Sequence, residues 1–133
     1  MIEVEVIGRR RLAPHGPGPA EIRRLCRLAA ATAGIADGHL AVHFVEERRI
    51  AELNAEHRGR RSPTDVLAFP IDEAAPVAGA PRELGDVVIC PQHAADLREV
   101  VVHGVLHLVG MDHEHDDGQM LALQTALLEG AGG

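Results

Sequence analysis

The sequence predicts an α+β domain: a small mixed four-stranded sheet packed against helices, with one buried helix at its centre. Three observations carry this. Ile2–Ile7 and Leu40–Phe44 alternate apolar and polar residues, the period of a strand. Between them, Ile22, Leu25, Cys26 and Ala29 repeat at the spacing of a helix face. Further on, Leu97, Val101, Val105, Leu106 and Leu108 make a helix apolar nearly all round, the pattern of an enclosed helix. With 133 residues the chain holds one domain with a real core, taken as residues 1–133.

In order, Ile2, Val4 and Val6 define the buried face of the first strand. Gly8 to Gly18 reads as a loop rich in Arg, Pro and Gly. Pro19 suits a first helical position, and Gly34 ends that helix. In the second strand, His39 and His43 fall on the face opposite Leu40, Val42 and Phe44, a partly exposed surface with no further role assigned. Glu46 to His57 is helical, with Ile50 and Leu53 inward and a solvated charged face. Val66–Phe69 is a short strand, and Ile71–Glu83, acidic and rich in Pro and Ala, is a surface loop. Leu84–Cys90, LGDVVIC, is a strand, continuously apolar after its first residues, as expected of a buried one. Asp96 with Glu99 resembles a capping box and opens the central helix. Asp116 or Asp117 caps a last helix, with Met120, Leu123 and Leu127 inward and Gly130 as its stop. The order of strands within the sheet does not follow from the sequence.

Composition excludes several classes. Hydrophobic content of 46% and charge of 25% are those of a globular protein. There is no Trp or Tyr and only two Phe, so aliphatic residues fill the core. A formal net charge of −7 is unlike a generic nucleic-acid binder, although the distribution of charge counts for more than its sum. Cys26 and Cys90 form no CxxC and no disulfide framework, which suits a reducing compartment. The N-terminus is short and alternating, unlike a signal peptide, and no apolar run spans a bilayer. The expectation is a soluble cytoplasmic protein without membrane contact or nucleotide cofactor.

The chemistry concentrates between Val100 and His113, where His103, His107, Gly110 and His113 spell H-x-x-x-H-x-x-G-x-x-H. A lone histidine in an apolar run is usually a packed core residue. Three at this spacing point to a metal. Residues four apart share a helix face, so His103 and His107 can converge on one ion at about 2.0–2.1 Å. Gly110 lets the chain turn back through a left-handed backbone, bringing His113 in as third ligand. Three protein ligands leave a fourth position for water, the catalytic arrangement, and zinc is the expected ion. This makes the central helix a metal-binding helix. His115 fits the spacing less well.

A second informative stretch is Leu53–Pro70, LNAEHRGRRSPTDVLAFP, which carries Arg58, Arg60 and Arg61 near Arg48 and Arg49. Guanidinium groups pair bidentately with phosphate. A solvated basic loop would have the same composition. Metal-assisted hydrolysis is the default reaction class, on a peptide or a phosphodiester. Metzincin proteases carry Glu directly after the first histidine, as general base. Here that position is Gly104, which weakens a protease reading. A phosphodiester asks more of positive charge on its oxygens, which an arginine such as Arg58 supplies. Asp112, His115 and Asp116 are open candidates for the base.

Taken together, HGVLHLVGMDH, NAEHRGRRSPTDVLAFP and LGDVVIC strongly resemble the YbeY family of endoribonucleases, in the family's order and over nearly the whole chain. The resemblance implies that His103, His107 and His113 hold one zinc ion per chain, and that Arg58 is the functional arginine, with Arg60 and Arg61 beside it toward substrate. It implies cleavage of single-stranded RNA, a role in 16S rRNA 3′-end maturation and ribosome quality control, and the ribosome or its small subunit as partner. It also implies a mixed sheet with helices. The chain departs from the family in a shorter Cys90–His103 segment, in Met111 where an aromatic is common, and in a reduced 71–83 loop. A metzincin-like metalloprotease and a non-catalytic ribosome-associated zinc module are the alternatives.

Overall fold

Ile2–Ile7 forms β1, and its alternation is real: Ile2 and Val4 are buried while Glu3 and Glu5 are exposed. In this computed structural model, residues 1–12, 16–71, 82–111 and 118–132 are described. The Arg-rich loop contains a short 3-10 turn, Arg9–Arg11. Helix α1, Pro19–Ala31, starts on its proline and buries Ile22, Leu25, Cys26, Ala29 and Ala30. Strand β2, Gly38–Phe44, begins two residues before the alternating stretch. Helix α2, Glu47–Arg58, follows, then β3, Val66–Pro70, and β4, Glu83–Ile89. Helix α3 is Leu97–Leu108 and α4 is Gln119–Gly132.

The sheet order is β1-β2-β4-β3. β1 and β4 each run parallel to β2, and β3 runs antiparallel to β4. The architecture is thus the expected α+β arrangement with a mixed four-stranded sheet. A register shift between His39 and Leu40 lets β4 carry one extra residue. Gly85 sits there at φ +130, where a Cβ would strike the Phe69 carbonyl oxygen.

One face of the sheet is covered by α1 and α3, α4 packs against these two helices, and the main core lies among them. On the other face, Ile50 and Leu53 of α2 pack with Leu67, Phe69, Val88 and Cys90. The remainder of that outer face carries Glu3, Glu5, His39, His43 and Asp86. Its two histidines are paired with acids: His39 Nδ1 lies 2.9 Å from Glu83 Oε2 and His43 Nε2 lies 2.8 Å from Asp86 Oδ1. They are therefore more engaged than a bare surface position suggests.

Two end-of-helix expectations need correction. Asp96 does cap α3, accepting from the amides of Arg98 and Glu99. Glu99, however, directs its carboxylate to Gln124 of α4 instead of completing the box. Gly130 does not stop α4, which continues to Gly132. A helical glycine costs only about 1 kcal/mol relative to Ala, too little to end a helix by itself. The Asp116 or Asp117 cap, and most of the 71–83 loop, lie outside the described residues. No helix among the described residues is long and apolar enough to cross a membrane.

Candidate metal centre

Helix α3 lies against β3 and β4 because position 104 is glycine, whose missing Cβ leaves room for Val87 and Val66. That close seating fixes the register of the histidine face. His103 and His107 lie one turn apart, half-buried, with Nε2 atoms 3.2 Å from each other. Their rings meet edge to face, with centroids 4.7 Å apart. Two nitrogens bound to one tetrahedral zinc at about 2.0–2.1 Å stand about 3.3 Å apart. The pair therefore fits two corners of such a site, and imidazole is a suitable donor for a borderline-soft divalent ion.

The helix then ends as Gly110 allows. Gly110 has φ +103, and its amide donates to the His107 carbonyl at 3.0 Å. The Met111 amide donates to the Leu106 carbonyl at 3.0 Å. This paired closure reverses the chain just past the second histidine. His113, the third expected ligand, lies outside the described residues, as do Asp112, His115 and Asp116.

His103 and His107 open onto a cleft of about 1090 Å³. Its other walls bring together Arg58 and Arg60, from the end of α2 and the loop after it, and Arg82, which leads into β4. Arg58 is the last residue of α2, and Gly59 at φ +72 turns the chain immediately after it. Asn54, buried in α2, donates from Nδ2 to the Ser62 carbonyl at 2.8 Å and ties the loop down. Arg61 is exposed and stands outside the cleft lining. Arg48 and Arg49 are turned to Glu52 on the outer surface of α2.

Several residues that sequence reasoning passed over join the site. Arg82 contributes a third guanidinium, and its Nε is buried without a hydrogen-bond partner among the described residues. Asp65 is the one carboxylate lining the cleft among the described residues. Gln124, 5% exposed, places Oε1 2.8 Å from His103 Nδ1. A polar residue at an inward position of an apolar helix was the available signal for Gln124. Nothing local marks Arg82.

A family model described as Endoribonuclease YbeY matches residues 19–132. The chain is 40% identical over 134 residues to the endoribonuclease YbeY of Thermobifida fusca, covering 84% of this chain and 86% of that protein. It is 39% identical over 122 residues to the endoribonuclease YbeY of Rubrobacter xylanophilus, covering 86% of each. The solution structure of TM1509 from Thermotoga maritima superposes with a TM-score of 0.54 at 30% identity, covering 96% of this chain and 88% of that one. With the family model spanning α1 to α4 and these relatives matched along most of their length, the chain belongs to the YbeY endoribonuclease family.

Proposed function

We propose that the chain is a zinc-dependent, single-strand-specific endoribonuclease acting in 16S rRNA 3′-end maturation and ribosome quality control. His103, His107 and His113 would hold the ion. The observation that carries this reading is the 3.2 Å approach of two imidazole Nε2 atoms beside a cleft lined by three arginines. The bound ion would supply an activated water and a Lewis acid for the phosphate.

The protein's own groups do the rest. Arg58 donates to the phosphate oxygens where charge builds during displacement. Arg60 and Arg82 hold neighbouring phosphates, and Arg61, exposed beside the cleft, extends the basic strip along the strand. Among the described residues, Asp65 is the carboxylate in the cleft that would take the proton of the attacking water. Among the described residues the cleft lining carries three guanidiniums and one carboxylate, a basic balance in a chain that is acidic as a whole. The RNA substrate is supported by the family to which the chain belongs, and the ribosomal role by the resemblance of its motifs.

The test is the His103→Ala variant, assayed for metal content and for cleavage of a single-stranded 16S rRNA 3′-end precursor. Both should be lost together. Wild-type RNase activity in that variant would overturn the reading and point to contaminating nuclease. A protein that binds ribosomes with His107→Ala in place and never turns over RNA would instead be a non-catalytic zinc module.

A further inference from the structure

We infer that Gln124, oriented by Glu99, is a positioning residue that keeps the His103 Nε2 lone pair facing the cleft. The inference rests on the metal-dependent reading above and adds a residue pair to it. Gln124 and Asn54 are the buried polar residues among the described ones. A buried amide is costly unless both its ends are bonded. Gln124 satisfies both: Oε1 lies 2.8 Å from His103 Nδ1, and Nε2 donates to Glu99 Oε1 at 3.2 Å.

The direction of the chain of bonds follows from chemistry. An ionised carboxylate only accepts, so the amide nitrogen must face Glu99. The amide oxygen then faces His103, and it too only accepts. Nδ1 of His103 must therefore carry the ring proton, which leaves Nε2 as a bare lone pair in the neutral ring. Nε2 is the atom that lies 3.2 Å from His107 Nε2. An amide turned the other way would present hydrogens to Nδ1 and force the proton onto the ligating nitrogen.

The fold supplies the geometry. Glu99 and His103 lie one turn apart on α3, so a single residue of α4 reaches both. Glu99 is exposed, and water competes for its bond, so its share is smaller than that of Gln124. The alternative role is a staple, in which Gln124 only joins α4 to α3. Such a staple would affect folding and leave the ring tautomer alone.

The experiment compares the full-length wild type with Gln124→Leu, Glu99→Ala and the double variant Glu99→Ala/Gln124→Glu. Zinc affinity is measured by competition with a chromophoric chelator. The His103 tautomer is read from ring nitrogen shifts in chelator-treated protein at about pH 8, and folding from thermal melts. Gln124→Leu should weaken zinc binding about 10–100-fold and move His103 toward the Nε2-protonated form. Glu99→Ala should weaken it by a smaller factor, since the amide is then free to rotate. The double variant should recover most of that loss, because its carboxylate at position 124 can only accept from Nδ1.

A folded Gln124→Leu protein with wild-type zinc affinity and an unchanged tautomer overturns the inference. Should that variant not fold, the other two decide: no shift of tautomer in Glu99→Ala, or no recovery in the double variant, overturns it as well. If the wild type binds no zinc, the metal reading fails separately, and the ring shifts alone decide whether Gln124 sets the tautomer.

Discussion

A methyl group placed on Gly104 would sit 2.4 Å from Val87 Cγ1 and 3.0 Å from Val66 Cγ2. Position 104 therefore faces the sheet at a distance that only hydrogen fits. Gly104→Ala should destabilise the fold by about 1–3 kcal/mol, the usual cost of overpacking. Chemical denaturation reads this directly. A variant as stable as wild type would mean that α3 can lift from β4 freely. Glutamate, the metzincin residue at this position, has less room still. Gly104→Glu is expected to misfold and not to gain peptidase activity, which a casein digest would check.

Arg58 ends α2, exposed on the cleft wall, so its loss should leave the fold intact. Arg58→Ala is predicted to retain zinc at wild-type stoichiometry while cleavage falls about 100-fold, the scale for removing one group that stabilises developing charge. Metal analysis and single-turnover cleavage separate the two effects. A parallel loss of zinc and activity would make Arg58 a structural residue.

Arg60 and Arg82 enter the same cleft from separate segments. If each meets one phosphate, Arg60→Ala and Arg82→Ala should each reduce the slope of log affinity against log salt by about 0.7 on single-stranded RNA. Filter binding over a salt series measures it. An unchanged slope for Arg82→Ala would remove that residue from the substrate path.

His39 titrates upward from its ordinary 6.5, mainly through its hydrogen bond to Glu83, with the charges of Glu83, Glu5 and Glu3 adding to it against partial desolvation. The folded value lies above the unfolded one. The stabilisation is then fully present below about pH 6.5 and is lost as pH rises through the folded value. Urea melts of wild type and His39→Gln should differ most near pH 5.5 and converge in the alkaline range. A gap that widens with pH would contradict the pairing.

Cys26 is fully buried, and burial pushes its thiol up to about 12, despite the opposing charge of Arg27. Cys90 is also buried, and both are free. A thiol reagent at about pH 8 should label neither in the native protein and both in denaturant. Rapid labelling of Cys26 in native buffer would show that α1 does not stay seated on the sheet.

What the sequence revealed follows a physical rule. His103 and His107 were readable because helical period alone brings them together, and Gly110 because a left-handed turn needs glycine. The first two strands were readable from alternation, and β4 from its apolar run. Strand order was not, since β2 lies beside β4 through pairing across a long loop-out of chain. Gln124 meets His103 and Glu99 across helix packing, over 21 and 25 residues of sequence. Glu99 was misread as half of a capping box because its local pattern satisfied one. Arg82 reaches the cleft through the register of β4, and no neighbour in sequence announces it.

The segregation of charge between the cleft and the outer sheet face has a consequence for encounter with a polyanion. Glu3, Glu5 and Asp86 present repulsion on one side, while Arg58, Arg60 and Arg82 present attraction at the histidine cleft. Between these two faces, the described charges favour approach of a polyanion from the side where the imidazoles stand. The order of the two faces thereby sets which side of the molecule a phosphate chain meets first.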